Sequence, residues 1–161
     1  MSGLALRFTR LSATRHRFNY RRDDGTGETI EMESEGLLFH DLLHLALEGE
    51  AGLKGSFYGL LDKIGGYEEL TVNGGAALGG EVAITERVAG AIADALRDPD
   101  LAEDDFAERV VEELSIHGER PPRWLTPALI GAVRARMIGL IALWQATPVD
   151  ETMSLRFPPS P

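Results

Sequence analysis

LALRF, residues 4–8, alternates apolar side chains with small or polar ones. A period of two predicts a β-strand that buries one of its faces. The same pattern returns near the other end of the chain as MSLRF, residues 153–157. Because matching patterns suit neighbouring strands, we expect both ends of the chain to enter one small antiparallel sheet that helices cover on one face.

A β-hairpin is predicted to follow the first strand. Phe18 and Tyr20 alternate with polar residues, and DDGTG at residues 23–27 then supplies turn chemistry. Ile30 and Met32 alternate with acidic residues after this turn. The two runs therefore have the pattern of paired strands that share an apolar inner face.

Charge is divided unevenly along this part of the chain. The first 22 residues contain six arginines and no acid, whereas the next 31 contain nine acids and neither lysine nor arginine. If the apolar side chains of the hairpin point inward, its outer face sets arginines beside glutamates. The predicted cross-strand ion pairs use Arg17, Arg21, Glu31 and Glu33. We expect this pairing to neutralise most of the charge division.

Helices are predicted for much of the remaining chain, from apolar periodicity and from start and stop signals. They cover residues 37–50, 56–63, 88–96, 106–114 and 127–144. The glycine-rich segment 65–80 has little periodicity, so we predict a loop there. The predicted fold class is α+β, as a single domain over residues 1–161. It combines a small antiparallel sheet of the N-terminal strand, the hairpin and the C-terminal strand with four to five helices.

Composition excludes several classes of function. The chain has no cysteine, which rules out disulfides, thiolate zinc sites and a cysteine nucleophile. A net charge of −10 opposes nonspecific binding to nucleic acid. The longest apolar stretch, residues 137–144, is too short to cross a bilayer, and residues 1–22 lack the apolar run of a secretory signal. We therefore expect a cytoplasmic protein with no membrane span and no nucleic-acid partner.

The helix at residues 37–50 carries the most suggestive group of polar side chains. At about 100° per residue, His40, His44 and Glu48 fall at roughly 0°, 40° and 80° around its axis, with Asp41 near 100°. Two histidines four residues apart can bind one divalent ion, as in the HExxH motif of zinc peptidases. We predict a metal site, for an ion such as zinc, with His40, His44 and Glu48 as ligands and Asp41 assisting. The ligand and any reaction stay open.

A competing interpretation is a noncatalytic structural or protein-interaction module. A His-Asp pair near a helix start can stabilise that terminus through local hydrogen bonds and the helix dipole. Gly131, Ala135 and Gly139 form a line of small residues on the last long helix, which permits close approach of another backbone. Under this interpretation the chain can form a homodimer or another homo-oligomer through that line.

The run FHDLLHLALE, residues 39–48, is followed by GLKG at residues 52–55 and FYG at residues 57–59. This arrangement resembles an uncharacterised bacterial family whose members carry a His-Asp-Leu-x-His helix near a comparable glycine-containing stretch. The resemblance implies no activity and marks this helix as a signature of the fold. The helix is also similar to the HDxxH metal motif of a ubiquinone-biosynthesis protein family, although Ser56 stands where that family has its final Glu.

Overall fold

The computed structural model describes residues 3–63, 66–72 and 80–159. Four strands form one antiparallel sheet in the order β3-β2-β1-β4. Their bounds are Leu4–Arg10 for β1, Arg15–Arg22 for β2, Gly27–Glu33 for β3 and Thr152–Phe157 for β4. Leu4 lies opposite Phe157 in the register of β1 and β4. The prediction that both ends of the chain enter one sheet is therefore confirmed, as is the α+β class.

The described residues contain six helices. They are α1 (Leu37–Ala51), α2 (Phe57–Lys63), α3 (Tyr67–Val72), α4 (Gly80–Leu96), α5 (Glu103–Ile116) and α6 (Pro127–Gln145). The prediction of a loop over residues 65–80 was wrong where α3 forms. Tyr67 and Leu70, three positions apart, are both buried, so one short helical turn packs onto the core. The rest of that predicted loop, at residues 65 and 73–79, lies outside the described residues.

The core lies between one face of the sheet and the helical layer. Every second side chain of the strands is buried on that face, as the alternation predicts. The buried strand residues are Leu4, Leu6, Phe8, His16, Phe18, Tyr20, Met32, Met153 and Phe157. α1 packs against α6 on one side and against α2 and α4 on the other. α1 is therefore the central helix, and three of its polar residues, Asp41, His44 and Glu48, are buried inside the protein.

The hairpin forms as predicted, but its ion pairs differ in part. Arg17 binds Glu31 at 2.9 Å, whereas Glu33 pairs with Arg15 at 2.7 Å. Arg21 lies opposite Gly27, at the turn end of the hairpin, because the strand register places it there. The predicted participation of Arg21 was therefore wrong, and the arginine-rich segment is neutralised only in part.

α6 begins as its sequence predicts, because the Thr126 hydroxyl accepts a hydrogen bond from the Leu129 amide at 3.1 Å. This helix is long and apolar enough to cross a membrane by length and composition alone. It packs against α1 and α5 and supplies five buried side chains to the core. A core helix of a soluble protein passes the same test, so this finding is weak support for a membrane span.

The line of small residues on α6 is only partly accessible to another chain. A side chain at Gly131 would meet the Glu103 carboxylate, whereas Ala135 and Gly139 are exposed. Large apolar side chains at Ile138 and Leu143 are exposed beside them. Self-association through this line stays a prediction.

Candidate metal centre

The chain reverses direction after α1 and packs against the polar face of that helix. Gly52 adopts a left-handed conformation with φ of 68°, and the helix ends there. This reversal brings the start of α2 against α1, where the Tyr58 amide donates a hydrogen bond of 2.9 Å to Glu48 Oε1. The Glu48 carboxylate is completely buried as a result.

Glu48 also determines which nitrogen of His44 is available. Its other oxygen, Oε2, lies 2.9 Å from His44 Nδ1, one helical turn away. Burial raises the pKa of Glu48, while the His44 ring acts in the opposite direction. With Nδ1 held by Glu48, the Nε2 atom of His44 points away from this pair.

Nε2 of His44 is buried and has no hydrogen-bond partner among the described residues. Its neighbour is Glu86 Oε1 on α4, at 3.3 Å. The second oxygen of Glu86 lies 3.5 Å from His40 Nε2, and the centres of the two imidazole rings are 4.4 Å apart. Glu86 therefore faces both histidines of α1.

Asp41 has a different position from the other polar residues. Its Oδ2 accepts a 2.8 Å hydrogen bond from the Tyr67 hydroxyl, and its backbone carbonyl accepts one of the same length from Tyr58. Its other oxygen lies 3.5 Å from His40 Nδ1. Asp41 is buried and ties α1 to α2 and α3, so it can orient the His40 ring from behind.

Polar contacts before α2 hold α4 in place over α1. Glu81 Oε1 accepts hydrogen bonds from the Gly55 amide at 2.9 Å and from the Ser56 hydroxyl at 3.1 Å. The Ser56 and Thr85 hydroxyls are 2.8 Å apart. Because Glu86 follows Thr85 directly, this anchor fixes the end of α4 that carries the carboxylate. Ser56 thus helps to position α4.

Electrostatics favour protons on the histidines when no cation is present. The neighbouring carboxylates of Asp41 and Glu86 raise the pKa of His40 to about 10. Burial acts to lower the pKa of His44, but Glu48 and Glu86 outweigh it and raise that pKa to about 9. The two rings in turn hold the pKa of Glu86 well below its usual value. A cation at this position must therefore displace protons.

His40, His44 and Glu86 can hold a metal ion, since one ligand atom from each lies within 4.8 Å of the others. Four ligand atoms placed about 2.0–2.2 Å from a tetrahedral zinc ion are about 3.3–3.6 Å apart. The separations of Glu86 from the two rings, 3.3 and 3.5 Å, fall in this range, but they involve different oxygens, Oε1 toward His44 and Oε2 toward His40. The carboxylate must therefore rotate before one of its oxygens and both imidazoles can bind the same ion. An ion could thus be bound with small side-chain movements.

The sequence-predicted residues are brought together in part. His40 and His44 face one carboxylate, whereas Glu48 lies on the opposite side of the His44 ring and contacts Nδ1. Sequence reasoning missed Glu86. It follows Val82 by four positions and precedes Ala89 by three, and both of these residues are buried. An acid beside an apolar stripe was the available signal, but the sequence does not show which helix it faces.

Comparisons of the chain with protein-family models, with curated proteins and with solved structures give no match. The resemblance of α1 to known metal-binding helices therefore stays a prediction. Any functional conclusion depends on the geometry around His40, His44 and Glu86.

Proposed function

We propose that this protein binds one divalent metal ion through His40, His44 and Glu86. The observation that carries the proposal is the buried Nε2 atom of His44. It makes no hydrogen bond of good geometry among the described residues, and its one polar neighbour is the Glu86 carboxylate at 3.3 Å, beside a second imidazole. Buried polar atoms without partners are rare in folded proteins, and a metal ion is a recognised reason for one.

The surroundings of the ligands support this proposal. Metal-binding histidines usually donate their second ring N–H to a carboxylate or carbonyl group, which fixes the tautomer and orients the ring. Glu48 has this relation to His44, and Asp41 is placed to have it with His40. Glu48 and Asp41, both predicted from the sequence as part of the site, then support the ligands.

Two imidazole nitrogens and one carboxylate suit zinc and several other divalent transition metals. Three protein ligands leave a fourth tetrahedral position for water or another small ligand. The His40 and Glu86 side chains are 47% and 45% exposed, whereas His44 is 2% exposed. The fourth position therefore opens toward solvent on the side of His40 and Glu86. The reaction, if the bound water is used in one, is left open by these contacts.

Zinc titration of tag-free, chelator-treated protein tests the proposal. We expect one equivalent of zinc to bind, and Co²⁺ to give the absorption bands of a four-coordinate site. His40→Ala, His44→Ala and Glu86→Gln should each weaken zinc binding by a factor on the order of 100 or more, since each removes one ligand of three. Glu112→Gln removes a carboxylate from the exposed face of α5 and should leave binding unchanged.

A structural polar network is the second candidate function. The raised pKa values of both histidines allow protons to satisfy the cluster and to join α1 to α4 without any metal. In that case zinc content stays at background in the parent protein, and His44→Ala lowers only the free energy of unfolding. Elemental analysis of the purified protein, compared with the stability of the same variants, separates the two candidates.

A further inference from the structure

Several arginines of the N-terminal strands are used inside the protein. Arg10 donates hydrogen bonds to the carbonyls of Trp144 and Thr147, both at 2.6 Å. Arg15 and Arg17 are paired with glutamates of β3. Arg7 has neither an ion pair nor a hydrogen-bonding partner among the described residues, and the charge division of the sequence is not explained by the hairpin alone.

Strand register places Arg7 within a group of basic residues on the outer face of the sheet. Ala5 lies between Arg21 of β2 and Arg156 of β4. Arg7 is two positions along β1 from Ala5, and its partner on β4 is Ser154. Diagonal neighbours on a sheet face are about 7–8 Å apart, within the reach of long side chains. Nη2 of Arg156 lies 3.4 Å from the position that a Cβ atom at Gly3 would take, so this side chain must turn toward Arg7 before both guanidinium groups can reach one ligand above Ala5.

A cavity of about 570 Å³, which is an open surface depression and not an enclosed space, lies at this position. It is lined by Arg7, Arg156 and Ser154 from the sheet, and by Arg136 from α6. None of the described residues that line it carries a carboxylate. In a chain with a net charge of −10, three arginines are thus grouped around one hollow, with no acidic side chain among its described lining residues.

Arg136 provides a second observation. Its Nε atom is buried and has no hydrogen-bond partner among the described residues. A buried donor without an acceptor is unfavourable, and for a charged group the penalty is larger than for a neutral one. Because this atom is buried, an oxyanion in the cavity that Arg136 lines can accept from it only if the side chain rotates.

We propose that this cavity binds a small ligand with two adjacent phosphate groups. A guanidinium group matches phosphate geometry through two parallel N–H donors. Each phosphate carries a charge of about −1.5 to −2 near pH 7, so two phosphates balance three arginines. Ala5 leaves space between the arginines, and the Ser154 hydroxyl adds a donor.

A long nucleic acid is a poorer match for this surface. Phosphates beyond the cavity would approach a strongly acidic molecule, and Arg15 and Arg17 on the same sheet face are already paired with glutamates. Electrostatic repulsion over those approaches opposes a polyanion more than it opposes a compact one. The surface therefore favours a small diphosphate compound.

Calorimetric titration of the full chain with pyrophosphate tests this proposal. Chelator should be present throughout, so that metal at the histidines plays no part. We expect saturable binding of one pyrophosphate, weaker at an ionic strength of about 0.15 M than at low salt. Arg7→Gln and Arg156→Gln should each weaken binding by about tenfold, as expected for the loss of hydrogen bonds between charged groups. Backbone amide shifts at Ala5 and Ser154 should move with the titration.

Two control variants separate a built site from a general charge effect. Arg17→Gln removes the same charge from the same sheet face but from an arginine already paired with Glu31, and it should leave binding within about twofold. Ala5→Leu fills the space above β1 without a change of charge and should weaken binding strongly. Any of four results would overturn the proposal. Arg17→Gln weakens pyrophosphate binding as much as Arg7→Gln does, or Ala5→Leu leaves it unaltered. The other two are tighter binding of citrate than of pyrophosphate, and no saturable binding at all.

Discussion

Glu48 is the residue whose role in the metal site is most open to direct measurement. It accepts from His44 Nδ1 and is fully buried, so it orients the ring without contacting an ion bound at Nε2. Loss of such an outer partner typically costs 10–100-fold in metal affinity. We expect Glu48→Gln to weaken zinc binding by about this factor, measured by competition with a chelator of known affinity.

Glu50→Gln is the matched control for this prediction. Glu50 lies two residues along the same helix and is exposed, so the substitution makes the same chemical change without touching His44. We expect its zinc affinity to equal that of the parent. If Glu48→Gln and Glu50→Gln bind zinc equally well, the orienting role of Glu48 is wrong.

His16 makes a separate contribution to the pH dependence of stability. It is fully buried between Phe8 and Trp144, and its Nδ1 atom lies 2.9 Å from the Ser34 hydroxyl. Burial lowers its pKa below 6.5, although the charge of Asp41 opposes this shift. Between the lowered pKa and 6.5 the unfolded chain binds more protons at this residue than the folded chain. Its contribution to stability is therefore present above pH 6.5 and is lost as the pH falls.

The variant His16→Phe tests the predicted direction of this pH dependence of stability. Phenylalanine keeps an aromatic ring beside Trp144 but cannot titrate, so the fall in unfolding free energy below pH 6.5 should be shallower than in the parent. Urea unfolding of metal-free protein at several pH values measures the slope. An identical slope in the two proteins would show that His16 does not contribute.

At the scale of elements, the short helix α2 depends on a glycine. A Cβ atom at Gly59 would lie 2.1 Å from the backbone carbonyl oxygen of Lys54, which belongs to the segment that enters α2. Alanine normally stabilises a helix relative to glycine by about 0.5–1 kcal/mol. Here the clash must move the backbone, so we expect Gly59→Ala to destabilise the protein by about 1–3 kcal/mol.

Gly90→Ala supplies the opposite result from the same substitution. Gly90 is exposed on α4, and a Cβ atom there would meet nothing within 4 Å. We expect an increase in the free energy of unfolding of up to about 1 kcal/mol, measured by chemical denaturation beside Gly59→Ala. Stabilisation by both substitutions would contradict the close approach at Gly59.

The sequence predicted those elements whose pattern is long enough to read. Alternation in β1 and β4 and the cap at Thr126 all appear in the structure. α3 was missed because six residues beside glycines are too few for a helical period to be visible. The pairing of Arg21 was mispredicted because Arg17 and Arg21 are four residues apart whereas Glu31 and Glu33 are only two apart, so no antiparallel register places both arginines directly opposite these acids.

Glu86 could not be assigned to the metal site from the sequence, because its position in the site depends on how the helices pack in the whole molecule. It is 46 positions from His40, and no spacing rule links an acid on one helix to histidines on another. The contact exists because α1 is central and because Glu81 and Thr85 hold α4 against the segment before α2. The two histidines were visible as a local repeat, whereas their shared carboxylate is a product of helix packing.

Zinc binding at this position should stabilise the whole domain. An ion that binds only the folded state adds about 2.7 kcal/mol to the free energy of unfolding when its free concentration is 100 times its Kd. Binding to the unfolded chain should be weak, because that chain offers four histidines and no cysteine. For a domain of this size, the gain corresponds to a rise in Tm of about 5–10 °C. Glu86→Gln should abolish most of the rise, while Glu112→Gln should retain it. Calorimetric scans of the parent protein could instead show the same Tm with and without zinc. In that case either no ion binds, or the unfolded chain binds zinc as tightly as the folded chain does. Direct measurement of bound zinc at low temperature distinguishes these two cases.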